Sequence, residues 1–363
     1  YFGWGPNNYA SAFNAFYPPE LLSVGGWGET WFDNAHNYPI NVLATQGIIG
    51  FFAYIIGIIL IIIFLFQKRK KHEITDVELF IFLFFYLVYL ISNVTVFDNP
   101  ISLMYYAIFL ALIHVKKQGI QNNKDTNDLS IAFIIFISAI IIMFNIVTNI
   151  NILKGNNLNL LALKNLRAGN IELVEKYYKQ AKESGSVHNL DFAMDLSKNL
   201  TPYVGKVGYT SIKSRSSIVD ILISDLEREY KRASYDARIP LVIESLLRLK
   251  INNTPESLPI IIKRIEILEQ SLLTSPGRHN TLFVLSDIYY SIGQGENSLV
   301  LLEKSLNQAP HTRQTWASYI VMLDKLNKKE KLQKAFEELD KLNIVFKENL
   351  HRVRQIRAKY NIK

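Results

Sequence analysis

Residues 47–66 contain no charged side chain and consist of Ile, Phe, Leu and Gly with a single Ala and Tyr. As a helix this stretch is about 30 Å long, enough to cross a bilayer core. A helix that is apolar on every side has no water-facing surface, so this part of the chain reads as a membrane span rather than as the buried core helix of a soluble fold. Residues 79–97, 101–115 and 129–147 are similar. The stretch 101–115 is short, so it either begins a few residues earlier or pairs with 79–97 as a re-entrant hairpin.

Charge gives the orientation, because Lys and Arg collect in cytoplasmic loops. No Lys or Arg precedes Lys68. Lys68-Arg69-Lys70-Lys71 follows the first stretch, and Lys116-Lys117 follows the third. Both clusters are expected in the cytoplasm, with the Asp98-Asn99-Pro100 turn outside. The fourth stretch then leads outward. Four crossings place residues 1–42 and the tail from residue 155 on one extracytoplasmic face. The chain opens at Tyr1 inside what reads as a loop, so a preceding N-terminal part is expected, and no signal peptide is visible.

Of the 40 basic and 32 acidic residues, 33 and 23 respectively lie beyond residue 150. The tail is therefore basic, which could favour anionic lipid or glycan phosphate. Its charges are dispersed as on solvated helix faces, and no nucleic-acid partner is expected. There is no cysteine, so disulfides and Cys-ligated zinc are excluded.

The tail has helical rather than alternating apolar spacing. Pro276 and Pro310 are 34 residues apart and bracket two short helical patterns separated by Gly293. That period and layout match a tetratricopeptide unit. A degenerate second unit follows, carrying Trp316, Tyr319, Leu323, Leu332, Ala335, Phe336 and Leu339. Residues 239–273 and 157–182 read as further units, and 202–217 as a loop. The expected architecture is all-α: a loop at 1–42, about four transmembrane helices within 43–150, and an extracytoplasmic α-solenoid at 155–363. Stacked repeats present a concave face that can dock protein or glycan, or serve only as a spacer.

The loop at 1–42 is rich in Gly and aromatic residues, among them Trp4, Tyr17, Trp27 and Trp31. Such rings suit a membrane interface and can also stack on sugars. His36 stands at the end of this loop. With a helix starting near Asn34, His36, Leu43, Gly47, Gly50 and Tyr54 would share one face. The glycines would let another helix approach closely. A helix N-terminus disfavours imidazolium and favours a nearby anion. A neutral imidazole there fits a general base for an acceptor hydroxyl, with Asp33 orienting the ring or capping the helix. The plainer reading is a hydrogen-bonded structural histidine. There is no His-Glu-x-x-His pattern, and the other six histidines are scattered, so no metal and no cofactor is expected.

Gly3-Trp4-Gly5-Pro6-Asn7-Asn8-Tyr9, then Asp33-Asn34-Ala35-His36-Asn37, then Leu43, Gly47 and Gly50 resemble the O-antigen ligase and polymerase family, well over residues 1–66 and loosely over 67–115. The resemblance implies a bacterial inner-membrane glycosyltransferase of lipopolysaccharide and polysaccharide biosynthesis. Its donor would be a glycan on undecaprenyl diphosphate. Its acceptor would be a lipid A core, a growing glycan or a protein hydroxyl outside the cytoplasm. His36 would be the catalytic base, with Asp33 and Asn37 binding substrate and no metal required. The family's donor-binding arginines have no counterpart in residues 1–67, so this chain alone is expected to be inactive. The alternative is a membrane-anchored tetratricopeptide scaffold that recruits envelope proteins, with His36 dispensable. A transporter would carry ionisable residues inside its spans, and 47–66 and 79–97 have none.

Overall fold

The structure, a computed structural model, describes residues 2–6, 8–22, 31–96, 100–114, 128–232, 234–251, 257–346 and 351–362. Among them there is no β-strand. The helices are α1 (Tyr9–Ala15), α2 (Tyr38–Lys70), α3 (Asp76–Thr95), α4 (Pro100–His114), α5 (Asp128–Arg167), α6 (Ile171–Lys182), α7 (Asn189–Val207) and α8 (Tyr209–Lys213). They continue as α9 (Ile218–Arg232), α10 (Arg238–Leu249), α11 (Leu258–Thr274), α12 (His279–Ser291), α13 (Gly295–Gln308), α14 (Arg313–Lys325), α15 (Lys329–Lys341) and α16 (His351–Lys359). Two compact units result, one of residues 1–13 and 31–131, the other of 14–30 and 132–363. This division separates the N-terminal loop into two parts, one of which goes with the tail.

In the first unit, α2, α3 and α4 pack through Leu65, Tyr86, Phe109 and Ile113. The Tyr89 and Tyr106 rings stack 4.7 Å apart. A capping box starts α3: the Glu78 N–H donates to Thr75 Oγ1 and the Thr75 N–H donates back to Glu78. The outward faces are apolar, with Ile49, Phe80 and Ile101 at least 60% exposed. By length and composition α2, α3 and the stretch Phe136–Arg167 can cross a membrane, with mean hydropathies of 3.1, 2.1 and 2.0, while Ile101–His114 is shorter. Asp98, Asn99, Lys116 and Lys117 lie outside the described residues, as does Trp27.

In the second unit α5 continues from its apolar half, where Met143 and Phe144 are exposed, into the tail core at Ala162 and Leu166. From α9 to α15 each helix packs on the next, and α16 packs on α14. The 34-residue period is explicit: α12 and α14 start 34 residues apart, as do α13 and α15. Leu285, Tyr319 and Val353 are buried at that spacing, and so are Ile288, Met322 and Ile356. The left-handed turn residues Gly293, Asn327 and Asn361 repeat it again. Gly and Asn are the residues that adopt this conformation at least cost. The helix α16 thus opens a third unit that the sequence pattern alone did not expose.

The expectation of a loop over 202–217 is corrected. Helix α7 runs through Pro202 to Val207, and α8 follows. Leu196, Leu200 and Val204 are buried on one face of α7. Burying side chains of this size stabilises by about 1.5–3 kcal/mol each, which together exceeds the roughly 3 kcal/mol that an internal proline costs. Residues 1–42 are also not all loop, since they hold α1 and a 3₁₀ turn at Pro19–Leu22.

Candidate functional site

The residues around His36 were expected to lie along one continuous helix. The structure corrects this in two ways. First, α2 starts at Tyr38, with Asn37 as its N-cap, so His36 lies outside the helix and is exposed. Second, α2 folds at Gly47, whose φ of 70° and ψ of −168° are non-helical. That conformation is essentially restricted to glycine. A straight helix would separate Tyr38 from Tyr54 by about 24 Å; here their ring centroids are 5.6 Å apart. The short arm before Gly47 therefore folds back toward the long arm, and the common face of His36, Leu43, Gly47, Gly50 and Tyr54 does not exist.

The fold at Gly47 opens the backbone ladder, and the N-terminal segment satisfies it. The Trp4 N–H donates to the Ala44 carbonyl at 3.0 Å, and the Gly5 N–H to the Thr45 carbonyl at 2.7 Å. In an unbroken helix those carbonyls would serve Ile48 and Ile49. Backbone groups freed by a break in a helix need such partners. Gly3 sits so close that a Cβ there would lie 2.4 Å from Gly47 N and 2.6 Å from Thr45 O. Sequence reasoning placed Gly3, Trp4 and Gly5 in a motif but missed this structural role.

Asn37 uses both halves of its amide. Its Oδ1 accepts from the Ile40 N–H at 3.0 Å, and its Nδ2 donates to the Val94 carbonyl near the end of α3 at 2.9 Å. It thereby ties the start of α2 to α3. Asp33 is exposed and is not the helix cap. Asn41 Oδ1 accepts from the Ala35 N–H at 3.4 Å, and the Thr45 hydroxyl donates to the Asn41 carbonyl at 2.7 Å. Among the described residues, no three His, Asp or Glu side chains gather as metal ligands would.

The tail carries the other candidate site. A groove of about 310 Å³ crosses α12, α14 and α16, the first helices of three successive repeats. Phe283, Ala317 and Val321 provide apolar surface, and Gln314, Ser318 and Arg352 provide polar groups. Lys325 borders it, 3.8 Å from Asp287 and 4.7 Å from the centroid of the Tyr290 ring. Because the 34-residue period places these helices side by side, residues distant in sequence share one surface.

Comparison with known proteins returned no matching family model and no matching curated protein. Similar solved structures include the MamA protein, at 14% identity over 60% of this chain and 97% of that one, TM-score 0.36. Another is TTC0263, a thermophilic TPR protein of Thermus thermophilus, at 8% identity over 57% of this chain and 97% of that one, TM-score 0.35. The resemblance to the O-antigen ligase and polymerase family is thereby corrected. No family model and no curated protein matches, and the two solved structures named above are tetratricopeptide-like helical-repeat proteins. The quoted residues Gly3, Trp4, Gly5, Asn37 and Gly47 are accounted for by the packing of a folded helix. The chain is all-α over its described residues and resembles tetratricopeptide solenoid proteins.

Proposed function

We propose that this protein is a membrane-anchored helical-repeat scaffold whose tail holds a partner protein at the outer surface of the cytoplasmic membrane. The observation that carries this reading is the groove across α12, α14 and α16, where three repeats combine apolar and polar side chains on one face. Repeats of this kind build extended surfaces for protein partners. The apolar helices α2, α3 and α5 supply the anchor. The Lys68–Lys71 block supports a cytoplasmic position for the α2–α3 loop. Contact of Asn14 and Tyr17 with Tyr235 and Arg278 supports a common side for the N-terminal segment and the tail.

The test is site-specific photocrosslinking from Ser318 in the full-length protein in its own cells. The expected result is one discrete crosslinked protein, lost in Gln314→Ala/Arg352→Glu and retained in His36→Ala. A crosslink unchanged by the groove substitutions, or abolished by His36→Ala, would overturn the scaffold reading.

A further inference from the structure

The second unit offers the docking groove, but a larger crevice lies in the first. It measures about 740 Å³ and opens between α2 and α4. Leu60, Phe64, Leu110 and Ala111 line it with hydrocarbon, and two polar side chains, Gln67 and His114, also border it. The His114 ring stacks on Phe64 with centroids 6.3 Å apart. Leu60, Phe64 and Gln67 of α2 and its C-cap Lys71 follow at spacings of four, three and four, a single stripe that passes from apolar through polar to cationic.

The four-cation block at this end is divided. Lys68 is buried, 3.4 Å from Glu73 and over the Phe64 ring. Arg69 binds Asp76 through Nη2 at 2.7 Å. Lys70 and Lys71 are exposed, and among the described residues neither has an ion-pair partner. Two cations thus stay uncompensated three and four residues beyond Gln67, which stands on the polar rim of the apolar crevice. The matching ligand is a molecule with a hydrocarbon chain and an anionic head at one end.

We propose that this crevice holds an anionic phospholipid of the surrounding bilayer, with an acyl chain against Phe64 and Leu110 and its phosphate at Gln67, Lys70 and Lys71. The proposal rests on the reading of α2, α3 and α4 as membrane-embedded. A basic cluster at a helix end contributes about fivefold in affinity per cation toward an anionic lipid surface. Carbonate extraction of the full-length protein comes first. If the protein leaves the membrane fraction, the membrane-embedded reading falls and the lipid site falls with it.

If it stays, native mass spectrometry of the detergent-solubilised full chain, titrated with palmitoyl-oleoyl phosphatidylglycerol or phosphatidylcholine, tests the site alone. Expected are tighter retention of the anionic phosphatidylglycerol and a loss of about 25-fold in its binding in Lys70→Gln/Lys71→Gln. Ala111→Phe, which fills the crevice, should weaken both lipids, and Lys329→Gln in the tail should change nothing. Equal binding of the two lipids would overturn the proposal. So would full retention in Ala111→Phe, or an equal loss in Lys329→Gln.

Discussion

The Tyr17 ring centroid lies 4.1 Å from the guanidinium carbon of Arg278, which is fully buried. Arg278 also donates from Nη2 to Asn14 Oδ1, and Asn14 Nδ2 donates to the Tyr235 carbonyl at 3.0 Å. Burial lowers the Arg278 guanidinium to about 10, with the Tyr17 phenol opposing that shift, so the side chain stays cationic at neutral pH. A desolvated cation over an aromatic face contributes about 2 kcal/mol. Tyr17→Leu should therefore release residues 14–22 from the tail while leaving the repeats folded. Hydrogen exchange should rise there and stay unchanged in α12–α15.

The same contact constrains the threading. Three crossings between residues 22 and 235 would leave Tyr17 and Arg278 on opposite sides of the membrane, where they could not meet. Under the proposed membrane-anchored reading an even number is required, which α4 would supply by crossing despite its 15 residues, or α3 and α4 by forming a re-entrant pair. Because the chain has no cysteine, single cysteines read this directly. Cysteines replacing Glu20 and Lys334 should label from one side, and one replacing Lys70 from the other. Val96→Cys should label with Glu20→Cys if α3 and α4 each cross.

At the fold of α2, Gly47→Ala places a side chain in a backbone conformation essentially restricted to glycine, at a cost of about 1–3 kcal/mol. Gly3→Ala should be comparably damaging, because its Cβ would meet backbone rather than a movable side chain. Both substitutions disrupt one contact, so the double variant should cost less than the sum. Gly57 has nothing within 4 Å of a Cβ, and Gly57→Ala should stabilise by up to about 1 kcal/mol through helix propensity. Thermal unfolding in detergent distinguishes these outcomes.

In the tail core, Arg264 meets Glu244 through Nε at 3.0 Å and also through Nη2, with both side chains under 10% exposed. Glu244→Ala leaves a buried guanidinium without its carboxylate and should cost about 3–5 kcal/mol. The apolar pair Glu244→Leu/Arg264→Met should recover most of that loss. Chemical denaturation measures both.

Glu175 predicts an acid response. Burial pushes its carboxyl up, but Lys179, the Ser216 hydroxyl, and the Ser217 amide and hydroxyl outweigh this and bring it down to about 2. A carboxyl lowered on folding adds stability that is complete above its ordinary range and is lost as pH falls toward 2. Allowing for solvent screening, the contribution is about 1–2 kcal/mol. Glu175→Gln should destabilise by that amount at pH 7. Its stability should also decline less steeply than that of the parent between about pH 5 and 2. Equal slopes in that window would show that Glu175 does not carry the effect.

Local patterns were legible in the sequence because they need only near neighbours. The uncharged run 47–66 and the pairs α12–α13 and α14–α15 all follow from composition and short-range spacing. The third repeat was not legible, because α16 is short and highly charged and matches its predecessors mainly at Val353, Ile356 and Asn361. The family reading failed for a related reason. Gly3, Trp4, Gly5 and Gly47 look like a catalytic motif in one dimension, whereas in three they complete the broken ladder of α2.

The sequence alone determined which segments are apolar enough to cross a membrane and which could form amphipathic helices, since both depend on the order of apolar and polar side chains. Only the tertiary structure decided that α2 folds at Gly47, that Asn37 bridges α2 and α3, and that Tyr17 covers Arg278. Each of these depends on a backbone break or on partners far apart in the chain. Short-range periodicity carries no information about such partners.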